Sequence, residues 1–391
     1  MKESRYVKLA RTMLNVLMRA RVPLYMHRKS NHIYTVWQHL ILLALRQYEG
    51  KSYRRFVEWL HEAYYLRMFL QLGRIPHHTT LQKFAARMNG TLLYRIIGSF
   101  ILLTKVRKMF IGIDASGFKS SNASSYYSEI AGVRRKYIKL SICAELRKQL
   151  ACALKIRRAP RHDTIDFEPV VVRASNIMPL SIVVADKGYD SEANHELVRE
   201  HLDAITMIPA RYGDVPVWRT HGRYRKQMKR RFHRHLYYQR NKNESILSVI
   251  KHMFGEHVAS RLVRMQNREL IFRVIAYNMH RLTVFMVWFL QSQGLSYFKY
   301  NRRITLLVSK TIIEKKLSKS EADDHFIHAL LFRDQIKNPL RIRVGEKIIE
   351  TNIDKRGRIW LPKVRKILKL YTGQTIRLNY NKDGTYTLSV S

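Results

Sequence analysis

The sequence predicts an α/β chain with an N-terminal helical domain, a central layered domain of strands and helices, and a small β-rich module near the C-terminal end. Three observations predict it. Apolar residues recur every three or four positions up to about residue 105. After Lys108 come two short apolar runs, each ending in an acid, with helical segments between them. The last fifty residues alternate with the period of strands. The boundaries that follow are 1–105 for the helical domain, 106–290 for the α/β domain with a basic insertion at 211–235, 291–338 for a helical connector, and 339–391 for the β-rich module.

In the first part, WQHLILLALRQYEG and SYRRFVEWLHEAYYLRMFLQLG carry the helical spacing. Pro76 and a Thr79-x-x-Gln82 capping box then open the helix LQKFAARMNG. Helix, turn and basic helix make this part a candidate DNA-binding domain. In the second part, MFIGIDASGF, YIKLSICAEL, LACALKIRRA, SIVVADKGYDS and AITMIPA read as strands, and TIDFEPVVVRASNI and ANHELVREHL as helices. The insertion from Arg211 to His235 holds nine Lys or Arg, three His and one acid, with Tyr212, Trp218, Tyr224 and Phe232 interleaved. Cations neutralise phosphates and aromatic faces stack on bases, so this composition suits nucleic acid. A helical run from Tyr237 to Phe254 follows. Further helices are expected to about residue 337, among them SKSEADDHFIHALLF with a Ser320-x-x-Asp323 box. The final segment reads as strands around one short helix and a Lys382-Asp383-Gly384 turn.

Composition narrows the function classes. The 72 Lys and Arg outnumber 29 Asp and Glu, a net charge of +43, so a polyanion is the expected partner. Hydrophobic residues at 46% supply a core and exclude a disordered basic tail. Cys143 and Cys152 form neither a CxxC pair nor a zinc-finger pattern and read as small buried residues. The basic N-terminal stretch is interrupted by charge throughout and lacks the apolar core of a signal peptide. The most apolar run, Leu282 to Leu290, is about half the roughly 20 residues of a membrane span. A protein in the reducing cytoplasm, associated with the nucleoid and not with a membrane, is expected.

Three carboxylates stand out. Asp114 closes the strand FIGID, Asp186 closes SIVVAD, and Glu244 lies on the helix after the insertion. Acids at the ends of neighbouring strands, joined by one from a helix, can hold two Mg²⁺ or Mn²⁺ ions for phosphoryl transfer. At about 100° per residue, Tyr237, Arg240, Glu244 and Lys251 fall within an arc of roughly 60°. On the same wheel Ile246, Leu247, Val249, Ile250, Met253 and Phe254 form the opposite, apolar face.

Tyr237-x2-Arg240-x3-Glu244-x6-Lys251 matches at every position the Tyr-Arg-Glu-Lys signature of a group of insertion-sequence transposases. GIDASGF around Asp114 and VVADKGYDS around Asp186 resemble that family's two acid motifs, in order. The resemblance spans about residues 30–290 and implies an RNase H-like catalytic core with Asp114, Asp186 and Glu244 as its catalytic, metal-binding triad. It implies two Mg²⁺ or Mn²⁺ ions, and DNA contacts from Tyr237, Arg240 and Lys251 at the transposon end. The C-terminal Asp354-Lys-Arg-Gly-Arg-Ile359 and Leu361-Pro-Lys363 are similar to AbrB-like swapped-hairpin domains. That resemblance implies dimerisation and DNA contacts from Arg356 and Arg358. Together they imply a homodimeric transposase that binds the ends of its element and target DNA, cleaving and joining strands. A nuclease that cuts without joining, a catalytically inactive domesticated DNA-binding protein and a basic RNA-binding scaffold stay open at this stage.

Overall fold

The computed structural model describes residues 4–27, 33–120, 137–158, 164–292, 311–316, 326–328, 340–344, 347–352, 358–360, 375–380 and 386–390. The chain forms two compact units, Met1–Met286 and Val287–Ser391.

The first unit opens with α1 (Arg5–Arg19), an amphipathic helix that buries Leu9, Met13, Val16 and Leu17. Helix α2 (Val36–Tyr48) buries nearly its whole circumference and starts at a reciprocal cap, in which Thr35 Oγ1 accepts from the Gln38 amide and Gln38 Oε1 accepts from the Thr35 amide. The helical stretch after Ser52 is broken at Ala63 into α3 (Tyr53–Glu62) and α4 (Tyr64–Phe69). Helix α5 (His78–Arg87) begins three residues earlier than the sequence suggested. Thr79 therefore lies inside its first turn, where its hydroxyl meets His77 Nδ1 at 2.8 Å instead of capping through Gln82. Helix α6 (Gly90–Ser99) leads into the sheet.

The sheet contains β1 (Met109–Lys119), β2 (Tyr137–Glu145), β3 (Leu150–Arg158), β4 (Leu180–Ala185) and β5 (Ile205–Met207), in the order β3-β2-β1-β4-β5. Strand β2 runs antiparallel to both β1 and β3, while β4 and β5 run parallel to β1. Residues 138–145 of β2 are buried without alternation, which requires cover on both faces. Helix α6 packs on β3, and α7 (Thr164–Ser175) packs on β2 and β3. A short helix α8 (Glu192–Glu196) runs into a π turn at Leu197–His201 before β5. The insertion contains α9 (Arg223–Arg230) and leads into α10 (Arg234–Tyr238), then α11 (Asn241–Phe254) and α12 (Val263–Ser292).

The helical region 1–105 is not a separate body. Residues from α1, α2 and α6 share one hydrophobic core with the sheet and α12, so the expected boundary at 105 disappears into continuous packing. Val263–Val287 is long and apolar enough to cross a membrane by length and composition, and its most apolar 18-residue stretch is 67% buried inside the unit, where it serves as a core helix. Its Asn278 amide grips both backbone groups of Ala151, with Oδ1 accepting from the amide at 2.9 Å and Nδ2 donating to the carbonyl at 2.7 Å. That grip falls at the irregularity in the β2–β3 ladder, on an edge strand. The two cysteines face each other there with sulfurs 3.4 Å apart, both buried and free.

In the second unit the helical connector expected over 291–338 is replaced by strands among its described residues, β6 (Thr311–Lys316) and β7 (Phe326–His328). With β8 (Leu340–Val344), β9 (Lys347–Thr351), β10 (Arg358–Trp360), β11 (Thr375–Tyr380) and β12 (Tyr386–Val390) they form a five-stranded sheet β6-β11-β12-β8-β9 and a pair β10-β7. Thr-Ile-Ile at 311–313 is β-branched throughout and suits a strand better than a helix. The Ser320-x-x-Asp323 box and the turn at 382–384 lie outside the described residues.

Candidate active site

The sequence places Asp114 at a strand end, but β1 continues for five more residues, paired with β2 as far as Lys119↔Tyr137. What ends beside Asp114 is its other neighbour. The parallel ladder to β4 stops at Ile113↔Ala185, so Asp114 and Asp186 follow the last paired residues of adjacent strands. An acid can stand inside a long strand and still look into the gap its partner leaves.

Glu244 comes from α11, which packs on β1. Gly112 permits that approach, since a Cβ there would meet Leu146 Cδ2 at 2.9 Å and Asn243 Cγ at 3.3 Å. The helix expected from Tyr237 to Phe254 is interrupted. Tyr237 ends in α10, and Arg240 stands at the N-terminal boundary of α11, joined by tight bonds from the Arg240 amide to Tyr237 O and the Asn243 amide to Arg240 O. Ile246, Leu247 and Ile250 are buried as the wheel predicts, whereas Val249 is exposed.

Arg240 is the centre of the constellation. Its guanidinium donates to Glu244 Oε1 at 2.6 Å, stands 3.9 Å from Asp114 Oδ2 and lies over the Tyr237 ring at 5.8 Å. Asp186 is close enough to the Tyr237 hydroxyl to help hold its proton. Burial pushes the Asp114 carboxyl above its usual range, and the charges of Glu244 and Asp186 push the same way, against the Ala115 amide and Arg240. Burial also raises Tyr237. For Arg240 burial disfavours the charge, but Tyr237, Glu244 and Asp114 outweigh it and the guanidinium is held above its ordinary value.

The structure thus brings together Asp114, Asp186, Tyr237, Arg240 and Glu244. Lys251 stands apart. Seven residues along α11 is about 10 Å, and its ammonium pairs with Glu256 Oε1 at 3.5 Å while lying 5.7 Å from the Phe118 ring centre. Arg356 lies outside the described residues; Arg358 pairs through its backbone with His328 on β7. Among the described residues no three His, Cys, Asp or Glu side chains are close enough together to hold a metal ion. Two of the expected triad, Asp114 and Glu244, are therefore gathered around a guanidinium, with Asp186 beside Tyr237, and not around a ready-made ligand set. The physical reason is mutual repulsion of carboxylates, which Arg240 relieves. The donor chemistry itself, hard carboxylate oxygens on neighbouring strands, fits Mg²⁺ or Mn²⁺.

Two residues escaped the sequence reading. Asn243 is 1% exposed, and neither its amide nitrogen nor its oxygen has a protein partner among the described residues. It lies on the sheet-facing side of α11, next to Glu244, a position its place on the helical wheel already implied. Asp190, also buried, anchors the basic insertion. It accepts from Arg225 Nε and NH2 at 3.0 and 2.8 Å and from the Arg211 amide at 2.8 Å, with His195 Nε2 at 3.6 Å. Beside it, Glu192 accepts from the amides of Tyr224 and Arg225 and caps α9, while the Tyr224 hydroxyl donates to Glu200. Gly222, at φ +96°, leaves room for Glu192, whose Oε2 a Cβ would meet at 2.1 Å. Held by these acids, the insertion exposes Trp218 and Tyr212.

Residues 107–279 match the family described as Transposase DDE domain. The matched stretch runs from the approach to β1 into α12 and contains Asp114, Asp186, Tyr237, Arg240, Glu244 and Lys251. No curated protein matches the chain. Among solved structures, a piggyBac transposase synaptic complex with hairpin DNA aligns at 11% identity and a TM-score of 0.38, over 74% of this chain and 76% of that one.

Proposed function

We propose that this protein is a DDE transposase of the Tyr-Arg-Glu-Lys group, which binds the ends of its insertion sequence, cuts them and joins them to target DNA. One observation carries the reading: Asp114, Asp186 and Glu244, far apart in sequence, gather around Arg240 and Tyr237 inside the stretch that matches the Transposase DDE domain. The sheet order, three antiparallel strands followed by two parallel ones, supports an RNase H-like core.

In this reading Asp114, Asp186 and Glu244 hold Mg²⁺ or Mn²⁺. When bound, such ions activate an attacking oxygen and stabilise the leaving one. The chain's own residues bind and orient. Arg240 gives up Glu244 and turns its planar fork to a phosphate, a geometry guanidinium suits. Tyr237, beside Asp186, lines the strand being cut, and Lys251, farther along α11, takes a phosphate beyond it. Cleavage and joining exchange only the nucleophile, water first and a 3′-hydroxyl second, so one set of positioned groups serves both. The N-terminal helices and the insertion contribute further DNA contacts. The C-terminal unit is an AbrB-like dimerising module, with Arg356 and Arg358 on DNA, and the active species is a homodimer associated with the nucleoid.

The test is cleavage and joining of a labelled duplex carrying the gene's flanking ends, with Mg²⁺ or Mn²⁺. Wild type is expected to nick and join, and Glu244→Gln to bind the same duplex within about threefold while losing on the order of 10³-fold in cleavage, several kcal/mol at 1.36 kcal/mol per decade. Binding without cutting by wild type, with either metal, would overturn the reading.

A further inference from the structure

At the end of the sheet away from the acids lies a cavity that the proposed reaction does not use. Lys105, Arg107 and Lys108 border it from the segment entering β1, Arg147 and Lys148 from the β2–β3 turn, and Ser181 from the start of β4. Five of its seven lining residues are cationic and none is acidic, whereas Lys and Arg make up 72 of 391 in the whole chain. Met109 and Asp114 are separated by five residues of strand, about 17 Å, so this cavity and the acids cannot hold the same phosphate.

The cavity is built and not a chance meeting of mobile side chains. The Leu146 amide donates to Phe110 O at 2.9 Å and ties the turn to the start of β1. Arg147 donates to Glu145 Oε1 at 2.7 Å and to the Lys108 carbonyl, and the Lys148 ammonium lies over the Phe285 ring at 4.4 Å. Glu145, the acid at the turn, is fully buried, and both its oxygens are taken by Arg147 and the Lys148 amide. The Ser181 hydroxyl donates to Met109 O at 2.9 Å. Arg107 and Lys108 are exposed and make no ion pair among the described residues. Cations gathered around one opening repel each other, and an anion bound there removes that cost.

We propose that this cavity is a second phosphate site, which grips nucleic-acid backbone independently of base sequence and away from the acids. The proposal rests on the reading of the chain as a DNA-processing protein, but its test needs no chemistry. In the full chain without divalent metal, binding of a fluorescent duplex of arbitrary sequence is measured against salt for wild type, Arg107→Gln/Lys108→Gln, and, as a control of equal charge at exposed positions with no DNA role assigned, Arg261→Gln/Arg264→Gln. Each lost phosphate contact lowers the slope of log K against log salt by about 0.9. The cavity variant is therefore expected to lose roughly 1.8 from the slope, Lys108→Gln alone about half that, and the control none, with melting temperatures near wild type.

Equal slopes for wild type and the cavity variant would overturn the site, as would an equal loss in the control. Inorganic phosphate that raises the melting temperature of wild type alone, with DNA slopes unchanged, would mark a free-phosphate site and overturn the nucleic-acid assignment. A slope lost here while no cleavage is found would leave this site standing and the transposase reading fallen.

Discussion

Asp114, inside β1, and Asp190, four residues after Asp186 beyond the end of β4, are the same residue type, and their surroundings treat them in opposite ways. Both Asp190 oxygens accept hydrogen bonds: burial alone would push its carboxyl up, but His195, Arg225 and the Arg211 amide bring it down to about 2. Asp114 accepts one backbone amide, sees Arg240 only at 3.9 Å, and is pushed up by burial and by two neighbouring carboxylates. An acid saturated by donors holds structure together. An acid buried among other acids, and answered by one arginine that a neighbour also claims, has the surroundings that the proposed cation-binding role requires.

The comparison can be broken in four ways, beginning with the largest effect. Asp114→Asn should cost on the order of 10³-fold in cleavage of the end duplex with no loss in melting temperature, because it removes a mutual repulsion. A large drop in melting temperature would make Asp114 a structural acid like Asp190. Asp190→Asn should do the reverse and destabilise the first unit by about 3 kcal/mol, since it strands Arg225 in a buried site; denaturant melts report this. The pH dependence follows with its sign fixed. The Asp190 carboxyl is lowered from 3.8 to about 2, so its contribution is complete above pH 4 and is lost as pH falls through about 2. That amounts to about 2 kcal/mol, absent in Asp190→Asn. Smallest is Gly222→Ala, expected to cost roughly 1–2 kcal/mol by pressing a Cβ on Glu192 at a positive φ, seen as faster proteolysis within 211–235.

The five residues that gather at the site were all legible, because the Tyr237-x2-Arg240-x3-Glu244 spacing and the apolar runs before Asp114 and Asp186 are local patterns. Arg240's place between Glu244 and Asp114 was not, because a helical wheel ranks directions and does not say which neighbour a long side chain reaches. The break between Tyr237 and Arg240 has no glycine or proline to announce it. The anchor at Asp190 was hidden for another reason: its partners, Arg211 and Arg225, lie in a segment whose many cations look interchangeable in sequence. Downstream of Ser292, the Ser320-x-x-Asp323 box suggested a helical connector, but β-branched Thr311, Ile312 and Ile313 form a strand ahead of it.

The grip of α12 on the sheet has a consequence for how the chain comes off the ribosome. Asn278 completes the edge at Ala151, and Thr283 donates its hydroxyl to that of Thr12, across 271 residues of sequence. Synthesis delivers the first helix and all five strands of the sheet before the helix that closes over them. Until α12 emerges, Leu9, Met13 and the edge of β3 lack the packing that buries them in the finished unit. Contacts of such long separation slow folding, so the first unit is expected to close only after most of the protein has been made.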